Sequence, residues 1–269
     1  MRLFEAGELG LLRTLEEQGL VVGTEHDAAQ VDGLVVTQDA LVEGVHFTFD
    51  RLFWRELGFR AAAVNISDLS ASAARPVALI VTLALPPETE VQDVVELYEG
   101  IGETGVPVRG GDTTAAERVV LSVTALGRSQ RVPGRAGAQP GDLVVVTGPL
   151  GAAGAAFREG RLLRPPLRTE EGVRLGAVAT AMLDLSDGLA VDAGHVARRS
   201  GCRLVVELDA VPRAGEIEDL GFGEDFELLA TTRDPLGFPV IGRCEQGEGV
   251  VLLSGGEPVE LPGYEHFRT

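Results

Sequence analysis

Lysine is absent from this 269-residue chain, so all 23 basic side chains are arginines. The absence excludes a Walker A loop, which needs Gly-Lys-Ser/Thr, and it also excludes a Schiff-base lysine and a kinase-type strand lysine. If the protein handles nucleotides, it has to neutralise their phosphates with metal ions, arginine and backbone N–H groups.

Cysteine and long apolar runs are scarce as well. Cys202 and Cys244 are the two cysteines, and their separation matches neither a metal-ligand spacing nor a disulfide framework. No apolar run approaches the roughly 20 residues that span a bilayer, and residues 1–5 lead into a helical pattern rather than a signal peptide. We therefore expect a cytoplasmic protein with no membrane partner.

Positive charge is the third deficit. The 41 acidic residues leave a formal net charge of −18, which argues against nucleic acid or an anionic membrane surface as the main partner. Such an excess of carboxylates often reflects only a solvated acidic surface. A site for several cations also gives the sequence an excess of carboxylates, because the charge of the bound metals is not part of the amino-acid composition.

Apolar periodicity predicts helices and strands in both halves of the chain. Helices are predicted over 5–19, 54–74, 88–104 and near 172–182, with another ending at Ser200; strands are predicted at Val31 and over 34–36, 78–85, 106–114, 119–126, 143–146 and 203–208. The length favours two domains, and the glycine- and proline-rich stretch 134–141 is the candidate connection. The predicted domains are residues 1–136 and 137–269.

Aspartates recur beside Gly, Ser or Thr, in several cases directly after an apolar run. The strand at 34–36 is predicted to end in Thr37-Gln38-Asp39, and the strand at 106–114 to end in glycines and Asp112. The full set is Asp27, Asp39, Asp68, Asp112, Asp184 and Asp187. Taken singly, each is more simply explained as a turn former, a helix cap or a surface charge.

Two of these positions favour a site. Asp68 interrupts a small-residue helix, and Asp184 follows an apolar segment, where an unpaired carboxylate is costly to bury. If the aspartates converge, they repel one another, and metal ions relieve that repulsion. Carboxylates, waters and substrate phosphates are the usual ligands of Mg²⁺, so the pattern indicates a multi-metal phosphate site.

Six ordered motifs resemble those of the thiamine-monophosphate kinase family, within the aminoimidazole ribonucleotide synthetase-like superfamily. They begin at Asp39, Ala63, Gly110, Asp184, Gly223 and Gly263, and they read DALVEGVHF, AVNISDL, GGDTT, DLSDGL, GEDFEL and GYEHF. The resemblance extends over essentially the whole chain. A single Gly-Gly-Asp is a weak signal, whereas the ordered set is a strong one.

The resemblance implies an α/β (α+β) protein with the two-domain aminoimidazole ribonucleotide synthetase-like fold, an N-terminal mixed sheet with helices and a C-terminal α/β domain. It implies a homodimer paired through the N-terminal domains. The implied reaction uses ATP and several Mg²⁺ ions to convert thiamine monophosphate to thiamine diphosphate by direct in-line transfer.

The implied site residues fall into three groups. Metal-binding positions are Asp27, Thr37, Gln38, Asp39, Asp68, Asp112, Asp184 and Asp187. ATP-contacting positions are Gly111, Asp112, Arg135 and Ser186, and substrate-contacting positions are His46, Glu224 and Tyr264. No residue is implied as a general base.

Two departures from the family pattern keep alternatives open. His26 stands where the family has a carboxylate, and Gln38 stands where it has threonine. The protein could therefore be a non-catalytic binder of nucleotide or thiamine phosphate, or another ATP-using synthetase of the superfamily.

Overall fold

The computed structural model describes residues 2–22 and 26–264, apart from the Leu9 side chain. The N-terminal part contains α1 (Leu3–Glu17), β1 (Ala29–Val31), β2 (Leu34–Val42), α2 (Trp54–Ala71), β3 (Arg75–Leu85), α3 (Val91–Gly102), β4 (Val108–Ala115) and β5 (Val120–Arg128). The C-terminal part contains β6 (Leu143–Val146), α4 (Ala152–Arg158), α5 (Thr169–Gly176), β7 (Ala181–Asp184), α6 (Leu189–Ser200), β8 (Arg203–Glu207), β9 (Leu228–Thr232), β10 (Val240–Glu245), β11 (Gly249–Ser254) and β12 (Glu257–Val259).

The first sheet has five strands in the order β1-β2-β5-β3-β4. Only β3 and β4 pair in parallel within it, and α3 provides the crossover that parallel strands need. Along β3 the residues Leu79, Val81 and Leu83 are buried, while Ile80 and Thr82, which alternate with them on the other face, are exposed. The sheet therefore packs its helices on one face and leaves the opposite face open in the single chain.

The second sheet has seven strands in the order β12-β11-β8-β10-β6-β9-β7. Both of its faces are covered, which explains why β6 and β7 are continuous apolar runs. In β6, Val144 and Val146 belong to the core under α6, whereas Val145 packs in a separate cluster with Ala71 and Ala73 from the end of α2.

Helix α2 contacts both sheets. It packs on α3, β2 and β5 in the first half and on α5 and β7 in the second. Small residues allow these close approaches: a Cβ on Gly172 of α5 would lie 2.2 Å from the Ser70 carbonyl oxygen, and one on Gly100 of α3 would lie 1.9 Å from the Arg55 carbonyl oxygen. The alanine-rich composition of α2 thus serves packing on nearly every side.

Two predicted element boundaries are wrong. Strand β2 does not end at Thr37–Asp39 but continues to Val42, whereas the strand predicted over 106–114 is found as β4 within two residues of its predicted ends. Polar side chains are tolerated there because Asp39 lies on a partly buried face and β4 is an exposed edge strand. The helix predicted near 172–182 ends at Gly176, since residues 181–184 form the buried strand β7.

Three further features of the sequence analysis can be located in the structure. No helix in the described ranges is both long and apolar enough to cross a membrane. Cys202 and Cys244 are buried free thiols, and burial raises the pKa of the Cys244 thiol to about 12. The connection between β5 and β6 contains the predicted domain boundary at residues 136/137, which itself stays a prediction.

The tight crossing of α2 and α3 can be tested with two glycines of the same helix. We expect Gly100→Ala to lower the free energy of unfolding by about 1–3 kcal/mol, because the added methyl overlaps the Arg55 carbonyl. Gly102→Ala is the matched control, since a Cβ there meets nothing within 4 Å; it should be neutral or stabilise by up to about 1 kcal/mol. Urea unfolding measures both. Equal effects of the two variants would contradict the close packing.

Candidate active site

Carboxylates from four separate elements meet between the two sheets. Asp27 precedes β1, Asp68 lies on α2 and Asp184 ends β7, and one oxygen of each lies within 4.8 Å of the others. Asp39 of β2 lies beside them, near enough for its negative charge to raise the pKa of Asp68, and both residues line one cavity. We call Asp27, Asp39, Asp68 and Asp184 the carboxylate cluster.

Hydroxyl groups orient two members of the carboxylate cluster. The Thr37 hydroxyl donates to Asp68 Oδ2 at 2.5 Å, because strand alternation places Thr37 on the face of β2 that α2 covers. The Ser67 hydroxyl donates to Asp184 Oδ2 at 2.6 Å, which links α2 to the C-terminal part. Two consecutive residues of α2 therefore contribute to the cluster: Asp68 provides a carboxylate, and Ser67 orients the carboxylate of Asp184.

The Asn65 side chain fixes the backbone of β2 beside the cluster. Its Oδ1 accepts the Asp39 N–H at 3.1 Å, and its Nδ2 donates to the Ala61 carbonyl one turn earlier in α2. The fully buried amide therefore accepts the hydrogen bond from β2 that a neighbouring strand would otherwise accept at this point. The single asparagine of the chain has a structural role at the site.

The cluster carries unfavourable electrostatics without cations. Burial raises the pKa of Asp27, Asp39 and Asp68, and for Asp68 the negative charges of Asp39, Asp184 and Asp27 raise it further. Burial, with the negative charge of Asp27 added, raises the pKa of Asp184 to about 7. Each carboxylate is thus destabilised in its charged form, as expected of a cation site that lacks cations.

Arg135 partly compensates for this repulsion. Its Nε and Nη2 both donate to Asp27 Oδ1, at 2.8 and 2.5 Å, and the Asp27 side chain is only 2% exposed. The arginine lies in the connection between the two sheets. A residue that sequence alone could not distinguish from any other linker charge is therefore an ion-pair partner of the cluster.

Two loops of the C-terminal part pack against each other beside the cluster. The Glu224 N–H donates to the Ser186 carbonyl and the Phe226 N–H to the Leu185 carbonyl, both at 2.9 Å. Glu224 and Phe226 adopt left-handed φ values of 57° and 49°, which are unfavourable for residues other than glycine. Such strain concentrates at functional sites, where the surrounding contacts enforce it.

A cavity of about 880 Å³ adjoins the carboxylate cluster. Gln38, Asp39, Asp68, Asp184, Ser186 and Asp187 line it together with an aromatic group, Phe157, Phe222, Phe226 and Tyr264. Its wall also contains His46, Arg60 and Glu224. The cavity thus combines an anionic region with an aromatic surface that suits a flat organic ring.

His46 is oriented by the backbone just before it. Its Nδ1 accepts the Val42 N–H at 2.9 Å, so in the neutral ring the proton is assigned to Nε2. The turn after β2 therefore fixes both the ring orientation and the tautomer of a histidine at the cavity wall.

Two predicted residues are brought neither to this cavity nor to the carboxylate cluster. Gly111 and Asp112 lie on β4, three strand spacings or about 14 Å from β2 across the sheet. Gly111 also has a packing role, since a Cβ there would lie 1.7 Å from the Val81 carbonyl oxygen. The sequence order of the motifs does not show this separation.

Gln38 and Asp187 each form contacts that the sequence did not predict. Gln38 Nε2 donates to Ser122 Oγ at 3.0 Å, so its side chain contacts the neighbouring strand β5. Asp187 forms a second acidic group with Asp192 and His195, and Asp192 Oδ2 accepts the Asp187 and Gly188 N–H groups. Glu265–Phe267 of the C-terminal motif lie outside the described residues.

Comparisons with known proteins agree with this architecture. Residues 20–129 match the family model for the N-terminal domain of AIR synthase related protein, and residues 139–260 match the model for its C-terminal domain. The chain is 34% identical over 314 residues to thiamine-monophosphate kinase of Aquifex aeolicus, with 99% of this chain and all of the relative covered. It is 36% identical to thiamine-monophosphate kinase of Escherichia coli strain K12 over 288 residues, or 88% of this chain and 87% of the relative.

The chain belongs to the thiamine-monophosphate kinase family. A solved structure, "AaThiL complexed with AMPPCP and TMP", is similar with a TM-score of 0.89 and 32% identity over 99% of both chains. The predicted two-domain fold is therefore confirmed.

In this thiamine-monophosphate kinase family member, the carboxylate cluster fits Mg²⁺. The donors are carboxylate oxygens, which hard cations prefer, and three of them converge within 4.8 Å. Their raised pKa values show that burial without a counter-charge is unfavourable, and Arg135 contacts only Asp27 among them by hydrogen bonding. Asp27, Asp39, Asp68 and Asp184 are the residues that would hold the metal.

Because the carboxylates repel one another, removing one charge should raise the stability of the metal-free protein and weaken metal binding. We expect Asp68→Asn to raise the melting temperature of the metal-free protein by about 2–4 °C, because one buried charge is removed while Thr37 keeps an oxygen acceptor. The stabilisation by added Mg²⁺ should shrink at the same time. Thermal unfolding in chelator and across a Mg²⁺ titration measures both effects.

The matched control is Asp32→Asn, in the exposed turn between β1 and β2. It removes the same charge away from the cluster and should change neither quantity. An Asp68→Asn protein that is less stable without metal and responds normally to Mg²⁺ would show that Asp68 only supports the fold.

Proposed function

We propose that the protein phosphorylates thiamine monophosphate with ATP to give thiamine diphosphate. The observation that carries the proposal is the cavity of about 880 Å³ that joins a buried carboxylate cluster to an aromatic surface. This combination suits a substrate with a phosphate at one end and rings at the other. The similar structure of AaThiL holds AMPPCP and TMP, which supports the same pair of ligands here.

The acceptor phosphate needs no general base. A phosphate monoester has a second pKa near 6, so at neutral pH it is largely a dianion and can attack directly. The harder task is to bring two polyanions together, since like unit charges about 4 Å apart cost about 4 kcal/mol at an effective dielectric of 20. The residues of the site should therefore act mainly by positioning and by neutralising charge.

Mg²⁺ at the carboxylate cluster would supply that neutralisation. Asp27, Asp39, Asp68 and Asp184 would hold it, with Thr37, Gln38, Asp112 and Asp187 as further metal positions. Gly111, Asp112, Arg135 and Ser186 would contact ATP. We infer direct in-line transfer to the acceptor, which requires inversion of configuration at the transferred phosphorus; net retention would exclude it.

His46, Glu224 and Tyr264 would contact the thiamine portion of the acceptor. Tyr264 belongs to the aromatic group of the cavity, and its backbone N–H donates to the Asp187 carbonyl at 3.0 Å. Glu224 offers a carboxylate to a cationic ring or to an amino group. The imidazole of His46, which the Val42 N–H orients, would contact the same portion of the acceptor.

The assay is ADP release from MgATP with and without thiamine monophosphate, with detection of thiamine diphosphate. We expect ADP release to require both thiamine monophosphate and a divalent cation. Asp184→Asn should lower the rate by at least about 100-fold, because it removes charge stabilisation in the transition state. Tight binding of both ligands by the wild-type protein without turnover would favour a non-catalytic binder. Turnover with another acceptor would favour a different ATP-using enzyme.

We further propose that the protein is a homodimer paired through the open face of the first sheet. Ile80 and Thr82 are exposed on that face, and a second copy would cover them. A partner would also explain the position of Asp112, which lies far from the carboxylate cluster of its own chain and could complete the site of the other. Two-fold symmetry would then give two identical composite sites.

Mixing two inactive variants tests this arrangement. Asp68→Asn and Asp112→Asn should each be inactive alone, and their random mixture should regain about a quarter of wild-type activity, since half the dimers would have one intact site. Asp68→Asn mixed with Asp184→Asn is the control and should regain none, because both residues belong to the same cluster. Sedimentation gives the oligomeric state. A monomer, or failure of the first mixture to recover activity, would contradict the composite site.

A further inference from the structure

Arg60 is a buried cation that neither the sequence motifs nor the proposed function assigns. It lies on α2 and is only 4% exposed, although its neighbours in the helix are mainly alanine and other apolar residues. A buried guanidinium is costly unless it is paired, and a well-packed apolar residue is often as stable in such a position. Packing alone therefore gives no reason for arginine here.

The partners of Arg60 lie at the wall of the cavity. Its guanidinium forms an ion pair with Glu224, donates to the Leu163 carbonyl from Nη1 at 3.3 Å, and lies 5.7 Å from the centre of the Phe226 ring. Its Nε–H has no hydrogen-bond partner within the described ranges. Glu224 is the more exposed partner, with 32% of its side chain accessible.

The position of Arg60 along α2 indicates which part of a bound substrate lies near it. Arg60, Val64 and Asp68 occupy successive turns and all line the cavity. Eight residues of helix span about 12 Å, so Arg60 lies well away from the carboxylate cluster. The transferred phosphoryl group belongs at the cluster, whereas the Arg60 guanidinium lies 5.7 Å from the ring centre of Phe226 in the strained loop.

We propose that Arg60 is a positioning residue that holds the Glu224 carboxylate in place for the aminopyrimidine ring of the acceptor. This inference rests on the proposed function. The ion pair fixes the orientation of the Glu224 carboxylate, whose free oxygen is then placed to accept a hydrogen bond from the exocyclic amino group of the ring. The ion pair also joins α2 to the loop at 223–226, so ring recognition uses residues from both parts of the chain.

The test compares Arg60→Met, Glu224→Gln and the double variant in steady-state kinetics. We expect Arg60→Met to raise the KM for thiamine monophosphate by about tenfold or more, with the KM for ATP and kcat changed less than about twofold. The double variant should be no worse than Glu224→Gln alone, because Arg60 acts through Glu224. Arg60→Lys keeps the charge and should recover part of the loss, which also covers the case in which Arg60→Met fails to fold.

Arg164→Met is the matched control. Arg164 also pairs with glutamates, Glu56 and Glu103, and lies over an aromatic ring, but it is not part of the cavity wall. It should leave the KM for thiamine monophosphate unchanged. An unchanged KM in Arg60→Met, an equal rise in the KM for ATP, or losses that multiply in the double variant would each overturn the proposal.

Wild-type turnover separates failure of this inference from failure of the proposed function. If the wild-type protein shows no ADP release dependent on thiamine monophosphate, the proposed function fails. Calorimetric titration with thiamine monophosphate then still compares wild type with Arg60→Met. Equal affinities there overturn the inference, and a weaker affinity in the variant supports it.

Discussion

Mutual repulsion among buried carboxylates is the constraint on which this structure depends. Asp27, Asp39, Asp68 and Asp184 come from a loop, a strand, a helix and a strand end, so no short segment could avoid the repulsion by itself. The fold brings them together against their electrostatics, and its hydroxyl, amide and guanidinium groups compensate only in part. Such an arrangement lowers the stability of the folded protein, and the proposed Mg²⁺ would supply the missing positive charge.

The absence of lysine fits this design. Arginine keeps its charge when buried and binds carboxylates through several N–H groups in fixed geometry. Arg135 beside Asp27 and Arg60 beside Glu224 both use that property at positions between the two sheets. A flexible ammonium would neutralise the same charge but would define the carboxylate orientation less well.

Sequence reasoning found the composition of the site but not its arrangement. The ordered motifs identified the family and most of the residues that line the cavity. The more buried positions of β2 alternate as Val35, Thr37, Asp39 and Leu41, which indicates a strand that continues past Asp39. The carboxylate of Asp39 was instead interpreted as the end of the strand. Arg60 and Asp68 lie two turns apart on one helix, a signal that could have been found. The separation of Asp112 could not, because strand order in a sheet does not follow chain order.

The packing of α2 has a consequence for how the protein folds. The chain divides into two halves by sequence family and by sheet, yet this one helix is buried against both, and Ser67, Ser70 and Ala73 contact the C-terminal part directly. The surface of α2 is fully buried only when both halves of the chain pack against it. The two domains should therefore unfold together as one cooperative unit, and an isolated N-terminal half would expose the helix that carries Asp68 of the carboxylate cluster.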